Sequence, residues 1–164
     1  MPPCPTMGEK RKVSSSTKIA APPEVVYALV SDLCRMGEWS PENTGGRWVG
    51  GASGAAEGAR FKGTNQCGAK KWSTTVTITD ATAPTRFTFI NKVGPKIVAE
   101  WSYRIVPTDG GARCKVTETW TEGAGPIMSI LGKAITGVED RAAHTRSMIE
   151  TTLTRLKETA ESGH

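Results

Sequence analysis

The sequence predicts an α+β protein: a strongly curved antiparallel sheet of about seven strands, in the order β-α-α-β6-α, wrapped around one long C-terminal helix. Three observations carry this expectation. Over residues 47–121, apolar and polar side chains alternate in short runs divided by turn signals, as in strands with one dry and one wet face. Over about 126–160 the apolar spacing changes to three and four residues, the period of an amphipathic helix. At 164 residues the chain suits one domain and leaves little room for a second.

Residues 1–12 carry three prolines and the charged run Glu9-Lys10-Arg11-Lys12, and read as a disordered tail ahead of a single domain over 13–162. The tail lacks the apolar stretch of a secretory signal, so a cytoplasmic location is expected. Residues 13–20 alternate, with Val13, Thr17 and Ile19 inward. Ala21-Pro22-Pro23 stops that strand. Proline and Glu24 suit a first helical turn, and a short helix to about Ser31 would bury Val26, Leu29 and Val30, with Leu33 beyond it. Residues 32–39 read as a second short helix or turn.

Six strands are then expected. They cover 47–49; 59–66, with Phe61 buried; 71–80, with Trp72, Thr74, Val76 and Ile78 on one face; 86–91, with Phe87 and Phe89 inward; 98–106, with Trp101, Tyr103 and Ile105 inward; and 113–121, with Cys114, Val116, Glu118 and Trp120 on one face. Pro107-Thr108-Asp109-Gly110-Gly111 is a hairpin signal between the last two. In the final helix Ile127, Leu131, Ile135, Val138, Ala142, Thr145, Ile149, Leu153, Leu156 and Ala160 form the apolar stripe. Such a helix would span roughly 50 Å, enough to cross the sheet.

Composition excludes several classes. Hydrophobic residues at 37% and charged residues at 23% are those of a globular chain. No apolar run approaches the roughly 20 residues of a membrane span, so no stable membrane insertion is expected. The net charge of +5 is divided between the tail and residues 60–71, without the dense basic face of a nucleic-acid binder. Arg60, Lys62, Lys70 and Lys71 could meet an anionic group, but read more simply as a solvated face. Cys4, Cys34, Cys67 and Cys114 are scattered, with no CxxC pair and two histidines in the chain, so neither a metal site nor a disulfide framework is expected. The glycine-rich segment 50–58 matches no phosphate-binding motif, and no nucleotide cofactor is expected; it reads as a loop near a cavity mouth. A monomer or weak homodimer is expected.

The last helix is the only large apolar stripe able to cover the sheet. A sheet of this many strands twists and curls, and cannot touch that helix everywhere. The gap is a pocket for a small, largely apolar ligand. Its expected lining is Trp72, Thr74, Phe87, Phe89, Asn91, Trp101, Tyr103, Glu118 and Trp120 from the strands, with Val138, Arg141 and Thr145 from the helix. The tryptophans could stack on a flat ligand or simply pack as core. Asn91 and Tyr103 could donate hydrogen bonds to a ligand, or Asn91 could end a strand and Tyr103 sit in the core. A buried Glu118 must be paired or hydrated, and Arg141 is a candidate partner. No catalytic residue is assigned. His144 falls well off the apolar stripe and reads as a surface residue, which leaves no histidine-based nucleophile system.

The segment Ile19-Ala20-Ala21-Pro22-Pro23-Glu24-Val25-Val26-Tyr27-Ala28-Leu29-Val30-Ser31-Asp32 resembles the opening of the polyketide cyclase/dehydrase and lipid-transport family of the START-like (SRPBCC, birch-pollen-allergen-like) superfamily. Met36-Gly37-Glu38-Trp39-Ser40-Pro41-Glu42 resembles its second-helix segment. Gly58-Ala59-Arg60-Phe61-Lys62-Gly63, Lys71-Trp72-Ser73-Thr74-Thr75 and Val116-Thr117-Glu118-Thr119-Trp120 resemble its strands. The resemblance runs over about 13–160 and is strongest to small actinobacterial-type members. It implies the helix-grip fold and a cavity between sheet and long helix. Because such families hold carriers, receptors, aromatase/cyclases and co-chaperones, three functions follow as expectations. The first is binding of a lipid, polyketide-like or other apolar metabolite. The second is a polyketide cyclase or dehydratase working without metal or nucleotide cofactor. The third is a protein-interaction module.

Overall fold

The computed structural model describes residues 11–123, 134, 137–138 and 140–163. It contains β1 (Lys12–Ile19), α1 (Pro23–Val30), a 3₁₀ helix (Leu33–Glu38), β2 (Asn43–Val49), β3 (Arg60–Cys67), β4 (Lys70–Thr82), β5 (Arg86–Val93), β6 (Lys96–Thr108), β7 (Arg113–Glu122) and α2 (Arg141–Ser162). The strands form one curved antiparallel sheet in the order β1-β7-β6-β5-β4-β3-β2. The helical segment after β1 carries the chain from one edge of the sheet to the other, and β2 to β7 then return as a meander. This is the expected helix-grip arrangement, with the second short helix wound as 3₁₀ rather than α.

The alternation read from the sequence matches the inner face. Val13, Ile19, Phe61, Val76, Ile78, Phe87, Phe89, Tyr103, Ile105, Cys114, Val116, Glu118 and Trp120 are all buried there. Register aligns them in cross-strand rows: Ile78 opposite Phe89, Phe89 opposite Trp101, Trp101 opposite Trp120, and Trp120 opposite Val13. Such opposed aromatic and branched pairs are the unit of sheet stabilisation.

Several strands are longer than expected. β2 begins at Asn43 because Gly45 and Gly46 pair with Thr64 and Gly63, and glycines offer no side chain for an alternation to show. Gly46 could hardly be another residue, since a Cβ there would lie 2.4 Å from the Phe61 ring. β4 continues to Thr82 past a bulge between Ile78 and Asp80, which resets the alternating period. At the other end of the domain Lys12 opens β1, and Arg11 donates to Glu122 Oε2 at 2.6 Å, so both residues of the expected tail that are described contact the sheet.

The helix predicted over 126–160 is corrected. Asp140 has an extended backbone, and its side chain accepts from the Ala143 amide at 3.1 Å, an N-cap that starts α2 at Arg141. Gly137, with φ of +71°, is not helical either. The 22 residues of α2 span about 33 Å rather than 50 Å. Ile127, Leu131 and Ile135 lie outside the described residues. Along α2, Thr145, Met148, Ile149, Thr152, Leu153, Leu156 and Ala160 are buried. Burial at about 25 cal/mol per Å² makes this stripe the main term holding sheet and helix together. No helix among the described residues is long and apolar enough to cross a membrane.

Candidate functional site

Where the sheet curls away from the start of α2, it leaves a cavity of about 110 Å³. β3 to β7 supply most of its wall, Leu33 and Met36 of the 3₁₀ helix cover one side, and Arg141 and Met148 of α2 another. Of the expected lining residues, Trp72, Thr74, Phe89, Asn91, Trp101, Tyr103, Glu118, Trp120 and Arg141 all meet there. Three do not. Phe87 is fully buried and edge-on to Tyr27 at 6.2 Å, so it is core beneath α1. Thr145 is fully buried off the cavity. Val138 precedes α2 and is also away from it.

One polar group of the cavity wall lies between β6 and β7. Tyr103 and Glu118 are cross-strand partners, and the Tyr103 hydroxyl donates to Glu118 Oε1 at 2.9 Å. Glu118 is 3% exposed. Burial lifts its carboxyl from the usual 4.5 to about 8, against a lowering by the Tyr103 hydrogen bond. Burial, and then the charge and hydrogen bond of Glu118, raise the Tyr103 phenol well above its ordinary range. At neutral pH the pair is therefore a neutral phenol and a largely neutral carboxylic acid. Glu118 Oε2 and Asn91 Oδ1 are both buried and without a hydrogen-bond partner among the described residues.

The expected pairing of Glu118 with Arg141 is not formed. Arg141 instead grips Glu42 through two bonds of 3.1 Å, from Nη1 to Oε1 and Nη2 to Oε2. His144, one turn along α2, meets Glu42 Oε1 through Nε2 at 2.8 Å. The expectation of a surface histidine is thus corrected: the His144 side chain is 32% exposed and engaged with a carboxylate that is only 10% exposed. Charge complementarity explains both changes. A guanidinium on the first residue of α2 reaches the loop before β2, whereas Glu118 is buried on the far wall, too deep to be met by a hydrated cation.

Glu42 is the residue that sequence reasoning missed. It follows Ser40-Pro41 in a loop, where a carboxylate reads as solvated, and no periodicity marks it as buried. Asn65 and Met148 were missed too: the first lies on an edge hairpin, the second beside the predicted stripe. None of residues 50–59 lines the cavity, so the glycine-rich loop is not at its wall. Arg60, Lys62, Lys70 and Lys71 are exposed, as a solvated face requires.

The curved seven-stranded antiparallel sheet packed against the C-terminal helix defines a helix-grip protein. The chain belongs to the polyketide cyclase / dehydrase and lipid transport family, whose model matches residues 10–161. It is similar to a polyketide-cyclase-like protein from Corynebacterium glutamicum, at 28% identity over 96% of this chain and 95% of that one, with a TM-score of 0.64. A START superfamily protein from Mycobacterium smegmatis shares the fold at 18% identity and a TM-score of 0.66, covering 93% and 99% of the two chains. So does the di-domain ARO/CYC BexL from the BE-7585A biosynthetic pathway, at 20% identity and a TM-score of 0.63, over 90% of this chain and 45% of BexL. Among curated proteins none matches the chain.

Proposed function

We propose that the chain binds a small, mainly apolar molecule carrying one or two hydrogen-bonding groups, held in the cavity between sheet and α2. The observation that carries this reading is the pair of buried, unpartnered polar atoms, Asn91 Oδ1 and Glu118 Oε2, on walls that also present Trp72, Phe89, Trp101 and Trp120. Leaving such an atom unsatisfied costs about 1–3 kcal/mol, which a suitable ligand recovers. Since Tyr103 occupies Oε1, neutral Glu118 offers its O–H from Oε2. That donor fits a ketone or hydroxyl oxygen, while Asn91 Oδ1 accepts from a hydroxyl. A cavity of about 110 Å³ is smaller than the ~150 Å³ that admits benzene in an apolar core, so one aromatic ring fits after small side-chain shifts. A lipid or multi-ring polyketide needs the walls to part.

The family also supports an enzymatic reading, polyketide cyclase or dehydratase chemistry, and one observation favours it. A neutral acid backed by a phenol in an aromatic pocket is positioned to polarise a ketone and stabilise its enol. Native mass spectrometry of the purified chain, followed by denaturing extraction, tests binding first. A ring-bearing ketone or phenol at about one per chain supports the proposal. Conversion of an added aryl diketone, lost in Glu118→Gln, would move the reading to the enzyme. Neither a co-purifying molecule nor saturable binding of any one- or two-ring ketone or phenol would refute both.

A further inference from the structure

Glu42, Cys67 and His144 come from the loop before β2, the end of β3 and the first turn of α2. Each presents one donor atom within 4.8 Å of the other two. We propose that this cluster is a binding site for a single divalent cation of the zinc type, at the edge of the cavity.

The cluster is built by the fold rather than by a motif. The Gln66 amide donates to the Glu42 carbonyl at 2.8 Å, which fixes the loop against the end of β3 and brings Cys67 beside Glu42. Arg141 anchors α2 to the same carboxylate and so delivers His144. Widely separated ligands of this kind leave no CxxC or HxxxH signature, which is why residue spacing argued against a metal.

The donor set is chemically selective. A thiolate, an imidazole and a carboxylate together suit zinc, whereas magnesium and calcium prefer oxygen donors alone. With Zn–S of about 2.3 Å and Zn–N or Zn–O of about 2.0 Å, a tetrahedral site has donor edges of roughly 3.3–3.5 Å. The 2.8 Å between His144 Nε2 and Glu42 Oε1 would open to this edge, and Cys67 Sγ, within 4.8 Å of both, would close towards it. Each carboxylate oxygen has two acceptor positions, so Arg141 can keep its grip on Glu42 while Oε1 turns to the cation. Three protein donors leave a fourth position open, as in zinc sites that bind water or a substrate oxygen. Glu42 and Arg141 themselves line the cavity. On binding, the thiol of Cys67 loses its proton to solvent, the proton between His144 Nε2 and Glu42 leaves to Nδ1 or to solvent, and that hydrogen bond is replaced by two metal bonds.

The test is titration of the reduced full-length chain with cobalt(II), followed by displacement with zinc. A thiolate-to-cobalt charge-transfer band saturating at one ion per chain is expected. The band should persist in Cys4→Ser and Cys34→Ser, vanish in Cys67→Ser, and need at least about ten-fold more metal in His144→Gln. Zinc-edge X-ray absorption of the wild-type chain needs no variant, and should read one sulfur with nitrogen and oxygen neighbours. No charge-transfer band in the wild type, a band that survives Cys67→Ser, or a zinc shell without sulfur would each overturn the proposal.

Discussion

Tyr103 and Glu118 stand directly opposite each other on β6 and β7 and share a 2.9 Å hydrogen bond inside the cavity. The arrangement keeps a carboxyl group protonated at a pH where exposed glutamates are ionised. It therefore links the stability of the fold to pH.

Glu118 titrates near 8 in the folded chain and near 4.5 when exposed. The folded state thus retains a proton that the unfolded state has lost. The stabilising contribution is complete below about pH 4.5 and is lost as pH rises through about 8, at up to about 1.4 kcal/mol per pH unit. Urea denaturation midpoints are expected to fall across this window in the wild type, with a shallower fall in Glu118→Gln. Equal slopes would show that Glu118 is not the group responsible.

Tyr103→Phe removes the donor that lowers the Glu118 pKa. Carbon NMR of the Glu118 carboxyl should show titration near pH 8 in the wild type and higher in the variant. Loss of the bond is expected to cost about 1–3 kcal/mol in stability. Titration of the wild-type group in the ordinary carboxylate range would contradict the burial argument.

Trp101 sits between Phe89 and Trp120 in register and faces the cavity. Trp101→Ala is expected to enlarge the cavity and destabilise the chain by about 2–4 kcal/mol. Affinity for a ring-sized ketone should fall at least ten-fold, or about 1.4 kcal/mol. Calorimetric titration checks this, and unchanged affinity would remove Trp101 from the site.

Glu42→Ala leaves Arg141 and His144 without their shared carboxylate. A loss of about 1–3 kcal/mol is expected, since the pair is only partly buried. Hydrogen exchange should quicken first in the opening turn of α2. Uniform protection in the variant would mean that Glu42 does not anchor the helix.

The sheet and the cavity's aromatic wall were legible because strand alternation is a local signal: Trp72, Phe89, Trp101, Tyr103, Glu118 and Trp120 each take their side from the period of two. Partnerships across the fold were not. Helical spacing placed Arg141 near the cavity but said nothing of which carboxylate it would meet. A loop residue such as Glu42 has no period to betray its burial. The apolar spacing also ran through Asp140, where a side-chain N-cap starts α2 against that pattern. Phe87 shows the limit of the alternation itself, which separates inward from outward but cannot tell a cavity wall from the core under α1.

The central claim, a ligand seated among the aromatic residues beside Tyr103 and Glu118, has an internal control in the tryptophans. Trp72, Trp101 and Trp120 line the cavity, whereas Trp39 and Trp48 do not. The most direct measurement is nitrogen–proton NMR of the indole groups during titration with acetophenone and with 2-naphthol. Saturable shifts of the Trp72, Trp101 and Trp120 signals, with Trp39 and Trp48 unmoved, are the predicted result. No saturable shift, or shifts centred on Trp39 and Trp48, would contradict the account.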